Sequence, residues 1–309
     1  MADPATQPSS HPRGDEAVIR VSGLTKVFKD FWGRPKARAI DNVDFEVRRG
    51  EIFGLLGPNG SGKSTTIKIL LGLLYPTRGH VTVFGQSPRD VRTKERIGYL
   101  PEESYLYRYL NSGETLDFFG NLFRLDSGER RRRAEQLIEM VGLNQARTRT
   151  VGEFSKGMQR RIGIAQALIN DPELVILDEP TAGLDPLGCR EVKDLILALA
   201  KRGKTVILSS HLLSDVEDVC DRVVIYYGGR VQAMGTLGEL LAKPDAIQIT
   251  APLLSRETTE KALEILRKEA GDGVHLGTPT QNLESFFLGV VERARAQQTS
   301  GATSGHRVA

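Results

Sequence analysis

Residues 51–64 read Glu51-Ile52-Phe53-Gly54-Leu55-Leu56-Gly57-Pro58-Asn59-Gly60-Ser61-Gly62-Lys63-Ser64. Glu51–Leu56 is an apolar run of strand length, and Gly57 to Ser64 fits G-x-x-x-x-G-K-[S/T] at every fixed position. Glycines let the backbone curl so that successive N–H groups turn inward on phosphate oxygens. A helix opening at Lys63 adds the positive end of its dipole. Lys63 is then expected to reach the β- and γ-phosphates of a nucleotide, and the Ser64 hydroxyl to ligate Mg²⁺. Gly57, Pro58, Asn59, Gly60, Ser61, Gly62 and Thr65 complete the expected cradle. A chance glycine-rich turn is the bland alternative; the strand before and the helix after argue against it.

Strand and helix signals alternate outward from this loop. Val43, Phe45 and Val47 alternate with Asp44, Glu46 and Arg48, a half-exposed strand ahead of the Arg49-Gly50 turn. Gly79–Gly85, with Val81, Val83 and Phe84, reads as another strand. From Glu102 to Asn170 the pattern is helical, including Ser127–Val141 with Leu137, Ile138 and Val141 on one face. Leu174–Leu177 and Thr205–Leu208 are continuous apolar runs, the pattern of buried parallel strands. Between them Pro186–Lys201 reads as a helix, with Asp185 as its N-cap and Pro186 at its first position. Val223–Tyr227 and Arg230–Met234 follow as strands joined by Gly228-Gly229. The class is α/β, a parallel or mixed sheet flanked by helices with a helical insertion. Beyond Gly235 the signals thin to helices at Leu237–Leu241, Glu257–Glu269 and Leu283–Arg293, and a strand at Ile247–Thr250.

The second apolar run ends in Asp178-Glu179. Two acids at the carboxyl end of a buried strand sit where α/β sheets bind ligands. Asp178 is expected to hold Mg²⁺, directly or through water, leaving Glu179 to polarise an attacking water as general base. Solvated acids at a strand end are the alternative, and the phosphate loop weighs against it. Hydrolysis, beyond binding alone, is the better reading.

Composition bounds the rest. In 309 residues, 42 Lys and Arg against 39 Asp and Glu give a net charge of +3, too balanced for a nucleic-acid coat. Cys189 and Cys220 stand far apart, so no disulfide framework is expected, which fits a reducing compartment. The five histidines never fall at i,i+3 or i,i+4 spacing, so no zinc site is supported. No apolar run approaches the ~18 residues that span a bilayer, and the polar start lacks a signal-peptide core. The expectation is a chain that stays in the cytoplasm. Arg130–Arg133, flanked by Glu129 and Glu135, reads as a solvated helix face.

Further motifs complete a resemblance. Phe154-Ser155-Lys156-Gly157-Met158-Gln159, Ala182-Gly183-Leu184-Asp185 and Ser209-Ser210-His211 follow the two phosphate-site motifs in order. From Ala17 to Gly235 the chain thereby resembles the ATP-binding subunits of ABC transporters. The three stretches look like that family's signature, D-loop and switch histidine. The resemblance implies a P-loop fold with a mixed or parallel sheet core, an antiparallel β portion and a helical subdomain, followed by a small α+β appendage. It implies an ATPase whose two copies face head to tail, each ATP held between one phosphate loop and the other's signature. Ser155 and Gly157 would contact the γ-phosphate across the interface, Asp185 would lie beside it, and His211 would contact it and orient Glu179. The expected division is a tail over 1–16, the ATP-binding domain over 17–242 with its helical part at about 102–170, the appendage over 243–296 and a tail over 297–309.

Two departures from the family pattern stand out. Lys156 and Met158 replace the usual Gly and Gln of the signature, and Glu102, after Ile97-Gly98-Tyr99-Leu100-Pro101, stands where Gln is usual in the Q-loop. Glu102 can still ligate Mg²⁺ or hold water. Both departures resemble the export-type branch. The family stacks adenine on an aromatic residue here; Phe28 is favoured over Trp32, which lies in an apparent insertion, Phe31-Trp32-Gly33-Arg34-Pro35-Lys36. Tyr105, Tyr107 and Tyr109 suit docking of a membrane subunit or packing of the helical insertion. The expected partners are a membrane-spanning permease and a second copy or a homologous ATPase subunit, with no nucleic acid, on the inner face of the membrane. A soluble ATPase of translation, repair or chromosome maintenance is the competing reading; the single cassette in this chain and the compact spacing from Lys63 to Ser155 weigh against it. The signature, D-loop and switch histidine together oppose a small-molecule kinase.

Overall fold

Alternate side chains of a strand point to opposite faces, so a strand that is apolar at every position must be covered twice. The computed structural model describes residues 16–103, 105–242, 252 and 254–270, and shows both coverings. The strands are β1 (Ala17–Lys29), β2 (Pro35–Arg48), β3 (Ile52–Leu56), β4 (Arg78–Val83), β5 (Ile97–Leu100), β6 (Leu174–Asp178), β7 (Thr205–Ser210), β8 (Arg222–Tyr227) and β9 (Arg230–Thr236). The helices are α1 (Lys63–Leu70), α2 (Val91–Glu95), α3 (Ser112–Leu122), α4 (Ser127–Met140), α5 (Lys156–Ala167), α6 (Pro186–Lys201), α7 (Leu213–Val219), α8 (Leu237–Leu241) and α9 (Arg256–Ala270). The chain divides into two compact units, residues 1–241 and 242–309.

In the first unit six strands run in the order β5-β6-β7-β3-β8-β9, parallel except for the β8–β9 pair. Their side chains part by period two. Ile52, Val175, Leu177, Val206, Leu208 and Val223 join one core, closed by α3–α7. Phe53, Leu55, Leu174, Ile176, Ile207 and Val224 join the other, closed by α1 and the antiparallel sheet β2-β1-β4. The antiparallel layer needs only one dry face, which is why Val43, Phe45 and Val47 are buried while Asp44 and Arg48 are exposed.

The period-two signal leaves β1 unmarked. Its pairing with β2 shifts register between Val21 and Leu24, again before Lys26, and again before Val27, around Gly23 at φ 56°. Each bulge inverts which parity faces inward, so strict alternation is lost over a real strand. The expected strand over Gly79–Gly85 is shorter, because Phe84 and Gly85 both take positive φ and turn the chain back, with Val83 N–H bonded to Gln86 O at 2.9 Å. Helix α8 matches the expected Leu237–Leu241 and α9 covers the expected Glu257–Glu269. The strand expected at 247–250, the helix at 283–293 and both tails lie outside the described residues.

Strand β5 carries one close approach. A Cβ on Gly98 would stand 2.0 Å from the Ala167 carbonyl at the end of α5, and 2.9 Å from Pro172. Only a bare backbone lets β5 pass this close, and β5 delivers Pro101 and Glu102 to the edge where β6 ends. Gly98→Ala is expected to cost about 1–3 kcal/mol through overpacking, read as a lower midpoint in urea with an unchanged slope.

Candidate functional site

The phosphate loop leaves β3 at Gly57 and enters α1 at Lys63. Gly62 caps the helix at φ 113°, a conformation side chains resist, and a Cβ there would meet the Ala39 carbonyl of β2 at 2.6 Å. Lys63 is buried; its Nζ donates to Gly57 O at 2.6 Å and Pro58 O at 3.3 Å. The Ser61 hydroxyl is buried with no hydrogen-bond partner in the protein. A buried orphan hydroxyl inside a ring of N–H donors is what a phosphate cradle would satisfy.

The register of three parallel strands brings the acids to this loop. Leu56 at the end of β3 pairs with Ser210, and Asp178 at the end of β6 pairs with Ser209, so β7 stands between the two motifs. Ser209 Oγ donates to Asp178 Oδ1 at 2.5 Å and accepts the Glu179 N–H at 2.9 Å. Ser64 Oγ reaches the same Asp178 oxygen at 3.3 Å. Two hard oxygen donors converging beside a phosphate cradle form the partial set that suits Mg²⁺, which keeps phosphate and water among its ligands. Among the described residues no group of three or more His, Cys, Asp or Glu is arranged to hold a metal ion.

Glu179 is buried and points back into the loop. Its carboxylate lies 3.4 Å from Lys63 Nζ and 2.8 Å from His211 Nδ1. The backbone of Glu179 takes φ 47°, in the left-handed region, a strain of roughly 1–2 kcal/mol for a residue with a Cβ. Pairing its N–H with Ser209 holds one side of that strained residue. The other side is held by Arg160.

Arg160 was not among the expected site residues. It lies one turn into α5, is 6% exposed, and donates to the carbonyls of Pro101 (2.7 Å), Asp178 (3.2 Å), Glu179 (2.6 Å) and Pro180 (3.2 Å). Burial pushes its pKa below the usual value, while Asp178, Glu102 and Glu179 oppose that shift. Tyr99 at the end of β5 is pushed up to about 12 by burial, with Asp178 and Glu102 adding to it. A second brace follows the acids. Thr181 Oγ1 donates to Asp215 on α7, and Asp215 pairs with Lys193 on α6 at 3.0 Å. In sequence Arg160 is one of two adjacent arginines and nothing separates the buried one; only its position four residues after Lys156, on the inward side of a helix, hinted at it.

The remaining expected residues divide. Ser155 caps α5 by accepting from Met158 N–H at 3.3 Å, and Asp185 caps α6 by accepting from Gly188 N–H at 3.1 Å. The two caps are neighbours: a Cβ on Gly183 would lie 3.8 Å from Lys156 Nζ, and one on Gly157 would lie 4.0 Å from Gly188. Among the described residues no hydrogen bond or ion pair joins Ser155, Gly157 or Asp185 to the phosphate loop. Glu102 is exposed at the same sheet edge and makes no hydrogen bond with Ser64 or Asp178. Phe28 is 39% exposed with Lys26 Nζ 5.2 Å over its ring. It pairs with Ala37, two residues before the Ala39 carbonyl that abuts Gly62, which places it beside the mouth of the loop. Of the expected solvated face, Arg131 and Arg132 are exposed and bonded to Glu135 and Glu129, whereas Arg130 and Arg133 are part-buried, because they reach in to the Leu125 and Ile169 carbonyls.

Arg160→Met keeps the length and removes every donor, leaving four carbonyls without that partner. A loss of about 2–4 kcal/mol is expected, measured by chemical unfolding, with Arg160→Lys recovering part of it.

Comparison with known proteins agrees with this geometry. A family model described as "ABC transporter" matches residues 40–182. An uncharacterized ABC transporter ATP-binding protein of Synechocystis is 42% identical over 82% of this chain and 72% of its own length. A fluoroquinolones export ATP-binding protein of Mycobacterium tuberculosis is 44% identical over 72% of this chain and 72% of its own. Among solved structures, a dimeric ATP-binding cassette in a post-hydrolysis state with ADP and Pi superposes with a TM-score of 0.64 at 27% identity, over 71% of this chain and 98% of that one. The chain therefore belongs to the ABC transporter family, as an ATP-binding subunit that hydrolyses ATP.

Proposed function

We propose that the chain drives a separate membrane permease, working as a pair of copies or with a homologous subunit that closes around two ATP molecules. The observation that carries the reading is Glu179, held 3.4 Å from Lys63 and 2.8 Å from His211 at the open end of the phosphate loop. A carboxylate fixed there can accept a proton from water as that water attacks a γ-phosphorus. His211 keeps the carboxylate aimed. Lys63 and the loop N–H groups hold the phosphates, and Phe28 stacks on the adenine. Ser64 and Asp178 would hold Mg²⁺, with Glu102 as a further candidate ligand. Mg²⁺ held there would supply charge neutralisation to the phosphates.

Ser155, Gly157 and Asp185 sit together and apart from the loop of their own chain, which supports their use on a partner's ATP. The helix dipole of α5 and the Ser155 hydroxyl then face the γ-phosphate across the interface. Loss of that phosphate on hydrolysis removes the contact and lets the pair open. No helix among the described residues is long and apolar enough to cross a membrane. Tyr105, Tyr107, Tyr109 and Phe118 expose aromatic surface after the Glu102 turn, with Tyr107 edge-on to Phe118 at 5.1 Å, and suit a docking site for that permease. Such docking holds the chain at the inner face of the membrane. Export is the favoured direction, supported by the similarity to the fluoroquinolones export subunit.

Glu179→Gln is expected to bind ATP and to hydrolyse it at least ~10²-fold more slowly, the scale of a lost general base; near-normal turnover would assign water activation to another group. Lys63→Ala is expected to abolish nucleotide binding, read by titration with a fluorescent ATP analogue. For the permease, tagged Glu179→Gln protein should be recovered with Mg-ATP from detergent-solubilised native membranes. A co-purifying multi-span protein supports the transporter reading. Recovery only with ribosomes or DNA-processing proteins would replace it with the soluble-ATPase reading.

A further inference from the structure

The turn joining β1 to β2 displays two large apolar rings to solvent on a braced loop. Phe31 is 95% exposed and Trp32 75% exposed, packed edge to face with centroids 5.6 Å apart. The turn itself is firmly made. Asp30 Oδ1 accepts both Trp32 N–H (2.9 Å) and Arg34 N–H (2.8 Å), while Asp30 N–H bonds Arg34 O at 2.8 Å and Gly33 N–H bonds Asp30 O at 3.0 Å. A loop that spends its only carboxylate on its own backbone is built to hold the rings outward.

The charge around the rings has one sign. From Lys26 to Arg38 there are five cationic side chains and one acid, Asp30, so this stretch alone is more positive than the whole chain at +3. Lys29 and Lys36 are exposed and make no ion pair among the described residues. Arg34 reaches Asp30 only at 3.7 Å with its side chain 75% exposed. Aromatic rings on a turn, flanked by the exposed cations Lys29, Arg34 and Lys36, match the chemistry of an anionic bilayer surface. The rings partition into the headgroup region while the lysines and arginines stay level with lipid phosphates. A protein groove would instead need complementary acids and a fixed concave shape.

We propose that the β1–β2 hairpin tip is a lipid-contact site, seating Phe31 and Trp32 in the headgroup layer of an anionic membrane with Lys29, Arg34 and Lys36 on its phosphates. This goes beyond permease docking, because the contact requires no other protein. Trp32 is the one tryptophan in the chain, so intrinsic fluorescence reports the tip directly. The full-length protein is titrated with protein-free vesicles of phosphatidylcholine, with and without phosphatidylglycerol. The expected result is a blue shift of emission and protection from acrylamide with the anionic vesicles, both diminished by salt and absent with phosphatidylcholine alone. Lys29→Glu combined with Lys36→Glu should weaken vesicle affinity by about tenfold or more, the scale of two surface cations, with an unchanged thermal melt. Emission unmoved by anionic vesicles overturns the proposal. So does emission that responds to Mg-ATP alone, which would assign Trp32 to the adenine, or only to vesicles carrying membrane protein, which would assign it to a protein partner. Because the vesicles hold no permease, failure here leaves the transporter reading intact, and failure of the pull-down leaves this test intact.

Discussion

The parallel ladder β6–β7–β3 is the constraint on which the chemistry depends. Backbone pairing of Asp178 with Ser209 and of Leu56 with Ser210 ends three strands at one edge. From that edge the loop, the acids and the histidine all emerge within reach of one another. A slip of one residue in β7 would turn Ser209 to the opposite face and place a leucine or Ser210 against Asp178. The double covering of the sheet prevents that slip, since Val206 and Leu208 are committed to one core and Ile207 to the other.

That alignment gathers charge where water is scarce. Lys63, Glu179, Asp178 and Arg160 are all buried, and each buried ion is tolerable only when its bonds are nearly complete. Arg160 meets much of the requirement through four backbone carbonyls. The arrangement has a mechanical consequence. The helix that begins with the signature Ser155 is bonded, through a side chain one turn along, to the backbone of both the Glu102 turn and Glu179. A displacement of α5 cannot leave the acids where they are.

The antiparallel layer contributes differently. Its sheet closes the second core over α1, and the Ala39 carbonyl fixes the approach of β2 to Gly62. Beyond that contact the same two strands continue outward into a hairpin whose tip buries nothing. One element thus abuts the phosphate loop at its base and stands in solvent at its end.

Much of this was legible in the sequence. The phosphate loop could be read because its chemistry depends on backbone curvature, which fixes glycines at set spacing within eight residues. Asp178 and Glu179 were legible because a buried strand leaves an unbroken apolar run before them, and Asp185 because Pro186 marks a helix start. Strand β1 was not, because bulges scramble its period. Ser209 as the bridge between Asp178 and Glu179, Arg160 as the clamp on Glu179, and Asp215 behind Thr181 were decided only by the tertiary structure. Those contacts join residues up to 34 positions apart, through strand order and helix packing. A one-dimensional pattern records which faces are dry, but of two adjacent arginines the one that clamps the acids looks like its neighbour until the carbonyls around it are in place.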